Sequence, residues 1–98
     1  MNRKEKLQKA AANCIKLLKD KYKVKRVFLI GSLVKGIVHE RSDIDLVVEG
    51  LFPELYMKAL TDLWDILPVD VELNLIPFED AFESLKEKVE KEGKLVYG

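Results

Sequence analysis

Residues 26–48 read RVFLIGSLVKGIVHERSDIDLVV. They contain two short apolar runs, Val27–Ile30 and Ile44–Val48, separated by a polar stretch that holds two glycines. The first run is β-branched and aromatic and stops at Gly31, which predicts a buried strand over 26–30 that ends in a tight turn. The second run alternates with acidic residues and predicts a strand over 43–49 with two different faces.

The sequence on either side predicts three helices and two more strands. From Arg3 to Lys21, apolar residues recur at three and four positions, the pattern of an amphipathic helix. The register of this helix places Cys14 in the core. A second helix is predicted over 53–67, with Trp64 on its inner face, and a strand over 69–75 follows it. A third helix is predicted beyond Pro77, with Phe78 and Phe82 at core spacing and a cap at Gly93. A short edge strand over 95–97 is the last predicted element.

This order of elements, α-β-β-α-β-α with a short final β, predicts one α+β domain over residues 1–98. Its two layers are a mixed β-sheet and helices packed on one face. A loop of limited length between the first two strands favours an antiparallel pair, whereas the helix between the second and third strands allows a parallel pair. The chain of 98 residues, 48% of them hydrophobic, is expected to build a single core.

The composition excludes several classes of protein. The apolar runs are too short to span a bilayer, and the charged first residues do not resemble a signal peptide, so we expect a cytoplasmic protein. A single cysteine excludes an intramolecular disulfide and a thiolate metal cluster. Residues 1–41 carry 12 Lys and Arg against 3 Asp and Glu, whereas residues 42–98 carry 5 against 14. This polarity could orient a partner, but it does not indicate direct nucleic-acid binding.

Acidic residues alternate with apolar ones in two of the predicted strands. Period-two geometry places Asp43 and Asp45 on one face of the second strand, and Asp70 and Glu72 on one face of the third. If the two strands are neighbours, these carboxylates converge and repel one another unless cations neutralise them. Carboxylate oxygens favour hard divalent ions, and magnesium fits best.

A glycine and a serine precede the acidic pair. Gly31 allows the backbone to approach a phosphate closely, and amide groups that follow it can hold the anion. A phosphate cradle beside acidic metal ligands indicates phosphoryl-type chemistry. Each piece is common by chance, whereas their order and strand context together are specific.

The pattern Gly-Ser, ten residues, Asp-x-Asp resembles the signature of the polymerase-beta-type nucleotidyltransferase superfamily. The resemblance extends to Gly36, to the basic Lys35 before it and to the segment Ser-Asp-Ile-Asp-Leu at 42–46. Within the superfamily the chain is most similar to the minimal nucleotidyltransferases, the antitoxin partners of HEPN-domain toxins.

The resemblance implies a nucleotidyltransferase-like fold and a role for each matching residue. Gly31 and Ser32 hold the triphosphate of ATP, with Lys35 as a further contact, and Asp43 and Asp45 bind two Mg²⁺ ions. An acid of the third strand completes the metal site and the catalytic set. Asp70 is the predicted third carboxylate, and Glu72 is the alternative on the same face. His39 and Arg41, in the loop before the acids, are better explained as solvated side chains.

Three functions are compatible with this resemblance. The first is an enzyme that transfers AMP from ATP to a hydroxyl group of a HEPN-family toxin. The second is a non-catalytic antitoxin that neutralises its partner by binding. The third is a nucleotidyltransferase for small molecules of the aminoglycoside type. The matching residues Gly31, Ser32, Asp43, Asp45 and Asp70 favour the first.

Overall fold

The computed structural model describes residues 2–31, 33 and 43–98 of the chain. The described elements, numbered in chain order, are three α-helices, four strands and two 3-10 turns. They are α1 Arg3–Asp20, β1 Arg26–Ile30, β2 Ile44–Glu49, a turn Pro53–Leu55, α2 Tyr56–Ile66, β3 Leu73–Pro77, a turn Phe78–Asp80, α3 Glu83–Glu92 and β4 Lys94–Tyr97.

Helix α1 begins where the sequence supplies a cap. The side chain of Asn2 accepts a hydrogen bond from the backbone N–H of Glu5 at 2.8 Å, which satisfies one of the unpaired donors of the first turn. Its apolar stripe is buried, and Cys14 lies within it with no exposed surface, as predicted. Burial raises the pKa of the Cys14 thiol to about 12.

The four strands form one mixed sheet in the order β3-β2-β1-β4. Strand β1 pairs antiparallel with β2 and with β4, and β2 pairs parallel with β3. This confirms the predicted mixed sheet of an α+β fold and the predicted directions of both pairs. The register places Asp45 between Ile30 of β1 and Asn74 of β3.

Helices cover the two faces of the sheet unequally. Helices α1 and α2 pack against the first face through the main core, which includes Leu7, Leu18, Leu29, Leu46 and Leu63. Helix α3 packs against the second face, where Val89 contacts the cluster of Phe28 and Val47. The predicted packing on one face therefore describes α1 and α2, whereas α3 lies on the other side.

Two details of the predicted elements are corrected. Strand β3 begins at Leu73, four residues after the predicted start, because Val71 donates to the carbonyl of Pro68 in a turn that occupies the preceding residues. Trp64 and Phe82 are exposed, not buried, and Ala59 and Leu63 form the buried positions of α2. Within the described part of the chain, no helix has the length and hydropathy needed to cross a membrane.

Candidate active site

The two predicted acidic ligands lie at one end of the sheet. Asp43 immediately precedes β2, and Asp45 is the second residue of that strand. Both side chains project from the second face, since Ile44 and Leu46 between and after them are buried against α1 and α2. Helix α3 covers Val47 on the same face but not the acids, so Asp43 and Asp45 are only half-buried. The described helices therefore leave both acids partly exposed.

Asn74 of β3 connects the two carboxylates. Its Nδ2 atom donates to Oδ1 of Asp45 at 2.7 Å and to Oδ2 of Asp43 at 3.3 Å. One nitrogen contacts both groups, so the two acceptor oxygens are no farther apart than the sum of these distances. Asn74 was not among the predicted site residues, because the predicted metal ligands were all carboxylates. The sequence did contain a signal, since Asn74 lies within the alternation of apolar and polar residues that runs from Val69 to Leu75.

Gly31 lies beside Asp45 at the end of β1. Its φ angle is +83°, a conformation that residues with a Cβ atom rarely adopt. A Cβ atom added at Gly31 would collide with Oδ2 of Asp45. The absence of a side chain at this position lets the Asp45 carboxylate lie against the backbone at the end of β1. The glycine and the acidic pair are therefore adjacent, as the predicted phosphate and metal site requires.

Asp70, the predicted third carboxylate, does not lie on β3. It belongs to the turn before the strand, where its carboxylate accepts from Lys6 at 2.7 Å and from Arg3 at 3.0 Å. The hydrogen bond from Lys6 is the main cause that holds the pKa of Asp70 below its usual value. Both cations belong to α1, which covers the first face of the sheet, so Asp70 is paired with that helix in this structure, and its role as a metal ligand stays a prediction from the sequence.

Glu72, the alternative acid, lies nearer to the site in the sheet. Its backbone carbonyl accepts from the N–H of Ile44 at 2.9 Å, which continues the pairing of β2 with β3 by one residue. Leu73 is buried on the first face, so the exposed Glu72 shares the second face with Asn74. Of the two predicted third acids, Glu72 is the one on the side of Asp43 and Asp45.

The other predicted site residues lie outside the part of the chain that the structure describes. These are Ser32 and Lys35, predicted to contact the triphosphate, and His39 and Arg41, predicted to be solvated. Their roles remain predictions from the sequence.

The donor atoms at this end of the sheet suit a hard divalent cation. The two carboxylates supply oxygen ligands, which magnesium prefers. Across residues 2–31, 33 and 43–98, no three His, Cys, Asp or Glu side chains are grouped as a metal site. The described residues thus fit an ion held by Asp43 and Asp45 with Asn74 as the neighbouring polar group. A third carboxylate stays a prediction from the sequence.

A separate cavity of about 650 Å³ lies at the opposite end of the sheet. It is lined by the segment after β2 and the end of β3, including Phe52, Tyr56 and Pro77. Its lining is mostly apolar and contains none of the predicted site residues. The predicted phosphate and metal site is therefore separate from this cavity.

Comparison with known families and proteins gives several matches. The family model described as "Polymerase beta, Nucleotidyltransferase" matches residues 12–98. Two proteins of Methanocaldococcus jannaschii, each named "Putative protein adenylyltransferase", are 43% identical to this chain over 63 and 61 residues. Each match covers 59% of this chain, and 63% and 62% of the relatives, so less than two thirds of each relative is matched.

Solved structures show the same fold over most of the chain. A chain from a toxin–antitoxin structure with AMP-PNP has a TM-score of 0.72 and 27% identity, covering 99% of this chain and 74% of that one. A chain from the toxin–antitoxin MntA-HepT has a TM-score of 0.67 and 25% identity, covering 93% and 72%. A nucleotidyltransferase structure from Sulfolobus solfataricus, 18% identical with a TM-score of 0.57 over 94% and 80%, supports the fold alone.

Proposed function

Because the chain belongs to the polymerase beta nucleotidyltransferase family, we propose that it transfers AMP from ATP to a hydroxyl group of a partner protein. The partner is a HEPN-type toxin, and the transfer makes this chain the antitoxin of the pair. Magnesium is the required metal.

The observation that carries the proposal is the convergence of Asp43, Asp45 and Gly31 at one open end of the sheet. The two acids lie within hydrogen-bonding distance of one amide, and the carboxylate of Asp45 lies against Gly31. Transfer of a nucleotidyl group needs positioning and neutralisation of the triphosphate more than covalent chemistry from the protein. An acidic pair that holds a divalent cation next to a glycine would provide both, since the cation neutralises the triphosphate and the glycine lets it approach.

Each residue of the site then has a defined task. Asp43 and Asp45 hold the metal, and Gly31, Ser32 and Lys35 hold the triphosphate. Magnesium, when bound, neutralises phosphate charge and stabilises the pyrophosphate that leaves. The open second face beside the acids admits the acceptor hydroxyl of the partner.

The proposed acceptor is supported by what similar proteins are named. Relatives with 43% identity are named as protein adenylyltransferases, and chains with the same fold come from toxin–antitoxin structures, one with AMP-PNP. The names of the relatives support a protein acceptor, and those of the solved structures support a toxin–antitoxin pair.

The test is transfer of label from ATP labelled at the α-phosphate to the protein encoded beside the gene of this chain. We expect labelling in Mg²⁺ and none in excess chelator. Asp43→Asn and Asp45→Asn should each abolish labelling, since loss of a carboxylate removes a metal ligand. Asp65→Asn is the matched control, because Asp65 is exposed on α2 and away from β2. Labelling that persists in chelator or in both site variants would refute the proposal.

One observation favours a second function, a non-catalytic antitoxin. The in-register neighbour of Asp45 on β3 is the amide Asn74 and not an acid. A site with fewer carboxylates is expected to bind divalent ions more weakly. Neutralisation of the toxin by Asp43→Asn, equal to that by the unchanged protein, would support binding without transfer.

A further inference from the structure

Asn74 makes a contact that an acid at the same position could not make. Ionised carboxylates only accept hydrogen bonds, so a group that bonds both Asp43 and Asp45 must be a donor. The amide of Asn74 is such a donor, and it offers a carbonyl oxygen on the same group. Within the described residues, no other side chain hydrogen bonds to either acid.

We propose that Asn74 is a positioning residue of the metal site with two states. Without an ion, its Nδ2 holds Asp43 and Asp45 together. With an ion, the amide turns so that Oδ1 faces the cation. The inference rests on the proposed metal site, and it adds the residue that controls how the site loads.

The first state is favoured by electrostatics. Two carboxylates that share one hydrogen-bonding neighbour repel each other, and a shared donor offsets part of that repulsion. The bond to Asp45 has the shorter distance, 2.7 Å against 3.3 Å for Asp43, so Asp45 is held more firmly. The acids are therefore arranged before any ion arrives.

The second state requires only rotation of the amide. A half turn about the last side-chain bond exchanges nitrogen and oxygen with little change in the space occupied, and this torsion is broad and two-fold for asparagine. An entering ion must displace the two hydrogen bonds that Asn74 donates. In return it gains the neutral Oδ1 atom of Asn74 as a ligand and not a third negative charge. We therefore expect weaker and more reversible ion binding than at a site of three carboxylates.

The test compares Asn74→Asp and Asn74→Ala with the unchanged protein by thermal unfolding and by calorimetry with MgCl₂ alone. In chelator, Asn74→Asp should have a lower Tm, because three carboxylates then repel one another. Saturating Mg²⁺ should raise its Tm more than that of the unchanged protein, and its Mg²⁺ affinity should increase by about tenfold or more.

Asn74→Ala separates positioning from general structure. Loss of the donor should lower the Tm in chelator, and Mg²⁺ should restore most of the difference, because the ion replaces the lost neutralisation. A merely structural role for Asn74 would leave the same Tm difference with and without Mg²⁺. Asn13→Asp is the control for added charge, since Asn13 is exposed on α1. Its response to Mg²⁺ should match that of the unchanged protein.

Side-chain amide resonances of Asn74 give an independent readout. In the unchanged protein, both should shift during a titration with MgCl₂ and return on addition of chelator. If Mg²⁺ binds but neither variant alters its affinity or its effect on Tm, the role of Asn74 is refuted and the proposed function stands. If the unchanged protein does not respond to Mg²⁺, with or without ATP, both the inference and the metal dependence are refuted.

Discussion

The Nζ atom of Lys6 lies 2.7 Å from Oδ1 of Asp70, which joins the start of α1 to the turn before β3. Arg3 donates to the same carboxylate at 3.0 Å. The carboxylate of Asp70 thus already has two cationic partners in the layer of helices. Its role in the structure is to dock the turn onto α1.

Asp70→Asn should therefore leave chemistry unchanged. We expect Mg²⁺ affinity, ATP affinity and label transfer to stay within about twofold of those of the unchanged protein. An exposed ion pair away from the reacting groups contributes little to any of the three. Glu72→Gln, on the face of the acidic pair, should have the larger effect, with Mg²⁺ affinity lower by up to about tenfold. Calorimetry and the labelling assay on both variants measure this. A hundredfold loss of transfer in Asp70→Asn alone would instead indicate that Asp70 is the third carboxylate of the metal site.

The same ion pair gives a pH dependence with a defined sign. Lys6 lowers the pKa of Asp70 in the folded protein, so the carboxylate stabilises the fold above its unfolded pKa of about 3.9. That contribution is lost as pH falls through the lower folded pKa. The Tm difference between the unchanged protein and Asp70→Asn should be present near neutral pH and should disappear in stronger acid. A difference that grows with acidity would contradict the assignment.

Tyr22 and Asp62 predict a second pH dependence at the alkaline end. The Tyr22 hydroxyl donates to Oδ2 of Asp62 at 2.5 Å, and burial, then this hydrogen bond and the charge of Asp62, raise the pKa of Tyr22 to about 12. Because the folded pKa exceeds the usual value of about 10, the contribution to stability is full below that value. It is lost as pH rises through about 12.

Tyr22→Phe should therefore lose stability at neutral pH and show a shallower decline of Tm at alkaline pH. Circular dichroism melts at several alkaline pH values measure the two slopes. Tyr97→Phe is the control, since the described side-chain contact of Tyr97 is the ammonium of Lys19 over its ring and not a carboxylate. Equal slopes in the unchanged protein and Tyr22→Phe would mean that the hydrogen bond to Asp62 does not control this titration.

The parts of the fold that sequence predicted well are those with strong local signals. Strand β1 has the predicted bounds because an apolar run is closed by Gly31. The directions of the strand pairs follow from the lengths of the connections, and the structure confirms them. The edge strand and the end of α3 at Gly93 were also predicted. Packing of α3 on the second face was not, because helix periodicity does not state which face of a sheet a helix covers.

The errors arose where local patterns repeat. Alternation of apolar and polar residues runs from Val69 to Leu75 without a break, so it does not mark where pairing with β2 begins. A backbone turn after Pro68 and the register with β2 decide this, and they are tertiary features. Because β3 begins four residues later than predicted, Asp70 lies before the strand, and Asn74 is the residue of β3 that pairs with Asp45. Trp64 was misassigned because it adjoins the buried Leu63, while the helix turns it outward.

The last prediction concerns the lack of a side chain at Gly31. Gly31→Ala places a Cβ atom against Oδ2 of Asp45 and forces a side chain into a φ angle of +83°. The backbone conformation should cost about 1 to 2 kcal/mol of stability, and the collision should displace the carboxylate. We expect the affinity for ATP with Mg²⁺ to fall by about tenfold or more, because small displacements of positioned groups have large effects.

Gly50→Ala is the matched control, because it carries the same kind of backbone strain without proximity to the acids. Gly50 has a φ angle of +93°, and an added Cβ would lie 2.7 Å from the backbone nitrogen of Lys25, at the opposite end of β2. This variant should lose at least as much stability, yet its folded fraction should bind ATP with Mg²⁺ within about twofold of the unchanged protein. Denaturant unfolding gives the stability of each variant, and calorimetry well below the Tm gives the affinity. If both variants lose affinity equally, Gly31 acts through global stability; if Gly31→Ala binds normally, the cradle in front of Asp45 does not hold the triphosphate.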